Sequence, residues 1–265
     1  MTQHRFFVHP EWLQESRLVI QGDLVHQIRN VLRMRPGDRI VALDNSGWEY
    51  QVDLDSIEKD AVCGRVLQKT LALGEPRTKI RLYQGVLRGR SFEWVLQKGT
   101  ELGIVEFVPL ISDRCLMSSL DDISAAKITR WQRIILEAAE QSRRGRLPRL
   151  QSPLMFSQAC DQTRQEGLAL MPWEGEQQVS LQDVLGKEGQ RQDAGDADAH
   201  ARHPKRRPFA LSLIVGPEGG FTDEEAGLAR RYGIRTLTLG PRVLRAETAG
   251  LVAASAILYE FGDMA

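Results

Sequence analysis

The chain has 265 residues, room for one large domain or two smaller ones, and its 42% hydrophobic content is enough to build a core. Lys plus Arg and Asp plus Glu each number 35, so the formal net charge is zero and the overall balance names no nucleic-acid or membrane partner; any positive surface has to be local. Cys63, Cys115 and Cys160 are too few and too far apart for a disulfide framework or a metal knuckle, residues 1–10 are polar and mixed, and no long apolar span occurs, which together suggest a reduced, cytoplasmic protein.

In chain order, the first element is a short helix over 24–35, with Val25, Ile28, Val31 and Leu32 on one face. The segments 39–43, 49–54 and 61–66 alternate or are β-rich. Turn signals at Pro36-Gly37-Asp38 and Asp44-Asn45-Ser46-Gly47 lie between them, the texture of a small β-barrel of short strands. Gly74 and Pro76 mark a break, and the expected domains are 1–73 and 74–265. Beyond it strands and helices alternate. A strand over 79–86 precedes a helix over about 92–102, which Ser91 can cap and which turns Phe92, Val95, Leu96 and Gly99 towards a sheet. A strand over 105–110 follows, then a helix over about 123–144 burying Trp131, Ile134, Ile135 and Ala138, then a strand over 168–171 ending at Pro172. Residues 186–207 hold almost no apolar side chains and read as a flexible polar insertion. His200 and His203 lie there without further ligands, and no metal site is expected.

The stretch 211–256 carries the most chemistry. The apolar runs 211–215 and 236–239 each end in Gly-Pro and open into a loop and a helix, the order of a parallel α/β sheet. Thr222-Asp223-Glu224-Glu225 is a capping box for a helix that stops at Gly233, and 247–259 is an Ala- and Leu-rich buried helix. Strands that stop at glycine leave bare backbone groups able to grip a ligand closely. No Lys follows Gly219-Gly220, so this is no Walker A loop, and the dinucleotide fingerprint is absent. Glu218 would repel a pyrophosphate, so the ligand near that loop is neutral or cationic. Taken alone, either loop reads more simply as a tight turn at a strand end; the pair, with Arg245, Glu247 and Thr248 beside the second, favours a site.

Basic residues gather in three places: Arg29, Arg33, Arg35 and Arg39; Arg77, Lys79, Arg81, Arg88 and Arg90; and Arg143, Arg144, Arg146 and Arg149. Such clusters suit RNA phosphates, although Arg at a helix C-terminus also complements the helix dipole. Candidate RNA contacts are Arg29, Arg33, Arg35, Arg88, Arg143, Arg144 and Arg146.

In order along the chain, VLQKGTELGI (95–104), ILEAAEQSRR (135–144), GPEGGFTDEE (216–225) and LGPRVLRAETA (239–249) resemble the motifs of SPOUT-class RNA methyltransferases. Within that class they are similar to the bacterial family that methylates N3 of a uridine in 16S ribosomal RNA. The resemblance runs from HRFFVHP (4–10) to Tyr259; the insertion before Pro208 and Cys115 after Arg114 depart from the pattern. It implies a C-terminal α/β trefoil-knot domain with a parallel sheet, an N-terminal PUA-like β-barrel, S-adenosyl-L-methionine as cofactor, a homodimer, and 16S rRNA within the 30S subunit as partner. The loops 170–174, 215–220 and 239–248 are the implied cofactor grip, through Leu170, Met171, Pro172, Gly216, Pro217, Gly219, Leu239, Gly240, Leu244, Arg245, Ala246 and Thr248. For the loss of the N3 proton two routes stay open. Glu247 or Glu218 can act as general base, or Arg245 can stabilise the uridine anion. Two other classes compete: a non-catalytic RNA-binding protein with a vestigial pocket, and a nucleotide-dependent phosphotransferase. The second needs a phosphate-binding Lys or a carboxylate pair for Mg²⁺ at a strand end, and neither is found.

Overall fold

The computed structural model describes residues 3–190 and 209–264, with the backbone alone for 187–190. The chain forms two compact units, Met1–Glu75 with Leu136–Leu147, and Pro76–Ile135 with Pro148–Ala265. No helix among the described residues is long and apolar enough to cross a membrane.

In the first unit, β1 (His4–Phe7), β2 (Leu13–Gln14), β3 (Arg17–Gln21), β4 (Arg39–Leu43), β5 (Trp48–Ile57) and β6 (Ala61–Leu71) form one sheet in the order β1-β4-β5-β6-β3-β2. Only β1 and β4 are parallel. Alternation along the strands turns Leu18, Ile20, Ile40, Ala42, Val52, Leu54 and Val62 into the core. Register shifts at Gln51/Val52 and Leu54/Ser56 add twist to the long β5–β6 hairpin. Helix α1 (Asp23–His26) continues as a π-helix over Gln27–Val31, where the Leu32 N–H donates to the Gln27 carbonyl at 2.9 Å. Val25 and Ile28 are buried as expected, but the wider turn carries Val31 off the apolar face and leaves it 64% exposed.

Residues 136–147 join this unit as the end of a helix that stops in a left-handed turn. Arg143 has φ +61°, and the Arg144 N–H donates to the Ala139 carbonyl at 3.0 Å. The turn carries Arg144 inward. Its Nε and Nη2 donate to the two Glu75 carboxylate oxygens at 2.8 and 3.0 Å, and the Gly145 and Arg146 N–H groups donate to Glu75 Oε1 at 3.1 Å each. Glu140 accepts the Phe7 N–H at 3.1 Å. Burial pushes its carboxyl up to about 7; the Phe7 donor opposes the rise and nearby Glu137 adds to it.

The second unit is a parallel sheet covered on both faces. Its elements are β7 (Lys79–Gly85), α2 (Ser91–Leu102), β8 (Glu106–Ile111), α3 (Ala125–Gln141), β9 (Arg149–Leu150), β10 (Leu154–Met155), α4 (Phe156–Thr163), β11 (Leu168–Pro172), α5 (Leu181–Gln190), β12 (Ala210–Val215), α6 (Asp223–Arg231), β13 (Arg235–Leu237) and α7 (Ala246–Glu260). The order is β10-β8-β7-β12-β11-β13, with β9 also on β8. Ile80 and Leu82 of β7 meet Phe92, Val95 and Leu96 of α2, Trp131 of α3, Val184 of α5 and Ala253, Ala254 and Ile257 of α7 in one core. The alternate residue Tyr83 meets Phe156 and Ala159 of α4 and Ala226 and Ala229 of α6 in the other. From the edge strand β13 the chain returns to mid-sheet, where α7 packs on β7, β12 and α2.

Three expectations change. Ser91 is the first residue of α2, not its cap, and Arg90 before it makes no side-chain cap bond. Helix α5 takes in residues 186–190 of the tract read as a loop, and the remainder of that tract, with His200 and His203, lies outside the described residues. Helix α4 was not foreseen, because PheSerGlnAlaCysAspGlnThr mixes polar and apolar residues over barely two turns.

A carboxyl raised from 4.5 to about 7 favours the folded state fully below about pH 4.5, and that contribution disappears as pH rises through about 7. Glu140→Gln, which keeps an acceptor for Phe7, is therefore expected to raise Tm at about pH 8 and to change it little at about pH 5. Thermal melts at the two pH values check this, and an equal shift at both would sink the assignment.

Candidate functional site

A cavity of about 1040 Å³ opens at the carboxyl ends of β11, β12 and β13, where ligands of open parallel sheets bind. Its wall is Pro172, Trp173, Glu174 and Glu176 after β11, Gly216 to Glu218, Gly220 and Phe221 after β12, and Thr238 to Glu247 after β13, with Ser91 of α2 and Ala249 of α7.

Each loop is braced by hydrogen bonds to neighbouring segments. After β11, the Trp173 indole N–H donates to the Phe221 carbonyl at 3.3 Å, and the Arg230 guanidinium lies 5.2 Å over its ring. Glu176 accepts the Gln178 and Val179 N–H groups at 3.0 and 3.3 Å and the Thr236 hydroxyl at 3.1 Å; the Gln178 donor leads in holding its carboxyl below the usual range. After β12, the buried Gln84 amide donates to the Gly85 and Gly216 carbonyls at 3.3 Å each. Glu218 accepts the Arg88 N–H at 2.7 Å, and Arg114 Nη1 donates to the Gly219 carbonyl at 3.0 Å. The two glycines have separate causes. Gly219 backs onto Arg114, whose Cβ would lie 2.9 Å from an added Cβ, and Gly220 has φ +68°. The capping box is formed: the Thr222 hydroxyl accepts the Glu225 N–H at 3.1 Å and Glu225 accepts the Thr222 N–H at 2.9 Å.

After β13, the Thr238 hydroxyl accepts the Gly240 N–H at 3.2 Å, and the loop ends at Arg245, the N-cap of α7. No side chain caps this helix. The Thr248 and Ala249 N–H groups bond the Arg245 carbonyl at 2.8 and 2.9 Å. The N–H groups of Ala246 and Glu247 have no acceptor within the helix, and both residues line the cavity. The Arg245 side chain is 86% exposed and the Glu247 side chain 21%, with Nη1 and Oε1 3.9 Å apart.

Of the residues singled out in the sequence, Pro172, Gly216, Pro217, Glu218, Leu239, Gly240, Leu244, Arg245, Ala246 and Glu247 meet at this cavity. Leu170 and Met171 are fully buried beneath it, Gly219 faces Arg114, and Thr248 sits in the first turn of α7 without lining it. Ser91, Glu176, Gln177 and Phe221 were missed, whereas Trp173 and Glu174 fall within the expected 170–174 loop without having been named as contacts. Trp173 and Glu174 directly follow the strand-ending Pro172, and that position was the available signal. Arg29, Arg33, Arg35, Arg88, Arg143 and Arg146 are exposed. Arg144 is the correction: at 2% exposure and forked onto Glu75, it is an internal counter-charge, since a buried carboxylate without such a partner is costly.

Residues 74–258 match the RNA methyltransferase domain, and residues 20–67 match the RNA methyltransferase PUA domain. The chain is 35% identical over 244 residues to ribosomal RNA small subunit methyltransferase E of Bacillus subtilis (strain 168), covering 91% of this chain and 89% of that protein. It is 31% identical over 254 residues to the enzyme of the same name from Synechocystis sp., covering 96% and 77%. The crystal structure of a ribosomal RNA small subunit methyltransferase E from Neisseria gonorrhoeae bound to S-adenosyl methionine has a TM-score of 0.78 to this chain at 29% identity, covering 97% of this chain and 98% of that one. A putative methyltransferase from Legionella pneumophila, in complex with the bound cofactor SAM, has a TM-score of 0.79 at 28% identity, covering 98% of each chain. A PUA-like unit followed by a SPOUT-type parallel α/β unit defines the class as RNA methyltransferase. Within it the chain belongs to the family of the bacterial ribosomal RNA small subunit methyltransferase E.

Gly220→Ala places a β-carbon on left-handed backbone and is expected to cost about 1–2 kcal/mol, lowering Tm by roughly 2–4 °C per kcal/mol. A melting temperature equal to wild type would show that the loop holds a different conformation.

Proposed function

We propose that the protein methylates N3 of a uridine in 16S ribosomal RNA, with S-adenosylmethionine as the methyl donor. The observation that carries this is the cavity at the strand ends, whose described wall offers backbone donors, four glutamates and two arginines but no lysine, in a chain of an RNA methyltransferase family.

The residues present fit that cofactor. Pro172, Leu239 and Leu244 offer apolar walls for an adenine, and the uncapped Ala246 and Glu247 N–H groups suit its acceptor atoms. Glu174, Glu218 and Glu247 favour a ligand that carries positive charge and disfavour a pyrophosphate. When bound, S-adenosylmethionine supplies a methyl group already activated by its sulfonium charge. What is left to the protein is alignment and the N3 proton.

Arg245 stands at the rim with an exposed guanidinium that only grazes Glu247, suited to stabilise the uridine imide anion through its oxygens and so lower the N3 pKa. Glu247 is the alternative proton acceptor. Glu218 is a weaker one, because its Oε1 already takes the Arg88 N–H and braces two loops. Arg29, Arg33, Arg35, Arg88, Arg143 and Arg146 are the surface cations for RNA phosphates. The proposal extends to a cytoplasmic homodimer whose sites are completed by both subunits, acting on RNA within the 30S subunit.

Purified protein and S-adenosylmethionine, added to 30S particles from a strain lacking the protein, are expected to create a primer-extension block at one uridine. If no uridine gains an N3 block, the proposal fails. Arg245→Ala is expected to lower kcat by about 10²–10³-fold while S-adenosylhomocysteine affinity holds. A full rate in that variant removes Arg245 from the chemistry, and a fully active monomer removes the shared site.

A further inference from the structure

The β5–β6 hairpin of the first unit carries an aromatic and cationic surface that the cavity chemistry does not use. Trp48 and Tyr50 alternate along β5, paired across the strands with Leu71 and Lys69 of β6. The Lys69 ammonium lies 4.9 Å from the Trp48 ring centroid and 5.2 Å from that of Tyr50. The Tyr50 hydroxyl donates to Asp44 at 2.9 Å, and Asp44 also accepts the Ser46 N–H at 3.0 Å, so the Tyr50 ring is fixed. The fully buried core on this strand face begins two pairs further on, at Val52. Trp48 lies beyond it and keeps 40% of its surface exposed, although an ammonium already covers part of the ring.

The charge around these rings is mostly positive. Arg146 donates to the Ser46 carbonyl and lies against Gly47, the residue before Trp48. Arg143, three residues earlier, is exposed at the left-handed turn. Against Lys69, Arg143 and Arg146 stand Asp44, engaged by Ser46 and Tyr50, and Glu75, paired with Arg144, while Glu49 points to the other side of β5 and pairs with Arg5 at 2.8 Å. Rings that stack on any base, next to cations that meet its phosphates, are the recurring chemistry of single-stranded nucleic-acid sites. A second copy of this chain docked symmetrically would bring the same cations against one another.

We propose that Trp48, Tyr50 and Lys69 form a stacking platform for an unpaired nucleobase of the RNA substrate, a site made wholly by the first unit. The platform rests on the RNA-methylating function proposed above. It adds a sequence-tolerant contact that contributes RNA affinity and leaves the methyl-transfer step alone.

The test measures binding of a labelled single-stranded 16S rRNA fragment containing the methylated uridine, together with methylation kinetics on 30S particles. Trp48→Ala is expected to raise the Kd for the fragment, and the KM for RNA, by about 5- to 100-fold. The loss should appear in KM rather than kcat, and Trp48→Phe should restore most of it. Lys69→Gln, which removes the ammonium and keeps both rings, should reduce the slope of log Kd against log salt by about 0.7. Unchanged RNA affinity in a folded Trp48→Ala protein overturns the platform, as does an unchanged salt slope in Lys69→Gln, or loss of self-association in place of RNA affinity. Should the wild-type protein leave 30S particles unmethylated, the proposed function fails first, and the two failures are told apart.

Discussion

The site depends on how closely α7 lies on the sheet. A β-carbon at Gly250 would sit 3.2 Å from Gln84 Oε1, 3.3 Å from a Leu82 methyl and 3.4 Å from a Val215 methyl. With nothing but hydrogen at that position, the helix backbone rests on β7 and β12, and Ala253 and Ala254 continue the tight seam one turn on. That contact fixes the height and direction of α7. Its first, uncapped turn therefore opens on the loops that begin at Gly216 and end at Arg245, and the free N–H groups of Ala246 and Glu247 become part of a cavity wall. Gln84, at the same spot, joins the ends of β7 and β12 by donating to the Gly85 and Gly216 carbonyls.

The rest of the second unit holds these strand ends still. Glu218 on the Arg88 N–H, Arg114 on the Gly219 carbonyl and Trp173 on the Phe221 carbonyl all brace the loops. Within the sheet, Glu166 accepts the Tyr83 hydroxyl at 3.0 Å and the Ser212 hydroxyl at 2.8 Å, and pairs with Arg81 at 3.0 Å. Burial first, then the Glu166 charge, pushes the Tyr83 hydroxyl well above its usual range and keeps it a neutral donor. A polar cluster with its members satisfied in this way locks neighbouring strands β7 and β12 in register.

What was legible in the sequence is what local chemistry decides. The capping box at Thr222 and Glu225, the two strand-ending Gly-Pro loops, the alternation of Val52 and Leu54 in β5 and the apolar face of α2 all depend on residues within a few positions of one another. What was not legible depends on distant partners. Gly219 looks like a ligand-approach glycine until Arg114, 105 residues away, is found against it. Arg144 looks like a phosphate ligand until Glu75, 69 residues away, takes both arms of its guanidinium. Val31 fits a helical face and loses its place to one π turn, a change no periodicity reveals. Trp48 belongs to the same group: it lies just before the strand expected over 49–54, and only the position of the core edge at Val52 shows where its ring stands.

The zero net charge then has a physical explanation that agrees with RNA as substrate. Several arginines are neutralised where they stand: Arg144 by Glu75, Arg5 by Glu49, Arg39 by Asp53, Arg130 by Glu93 and Arg81 by Glu166. Others, including Arg29, Arg33, Arg35 and Arg143, are exposed and make no ion pair among the described residues. Phosphate recognition acts over about a Debye length, so what matters is which cations are left unpaired at a given patch, and the sum over the chain is nearly irrelevant. Carboxylates that pair the interior and rim arginines therefore sharpen the RNA surface instead of weakening it. They leave Arg29, Arg33, Arg35 and Arg143 of the first unit and Arg88 of the second as exposed cations with no ion pair among the described residues.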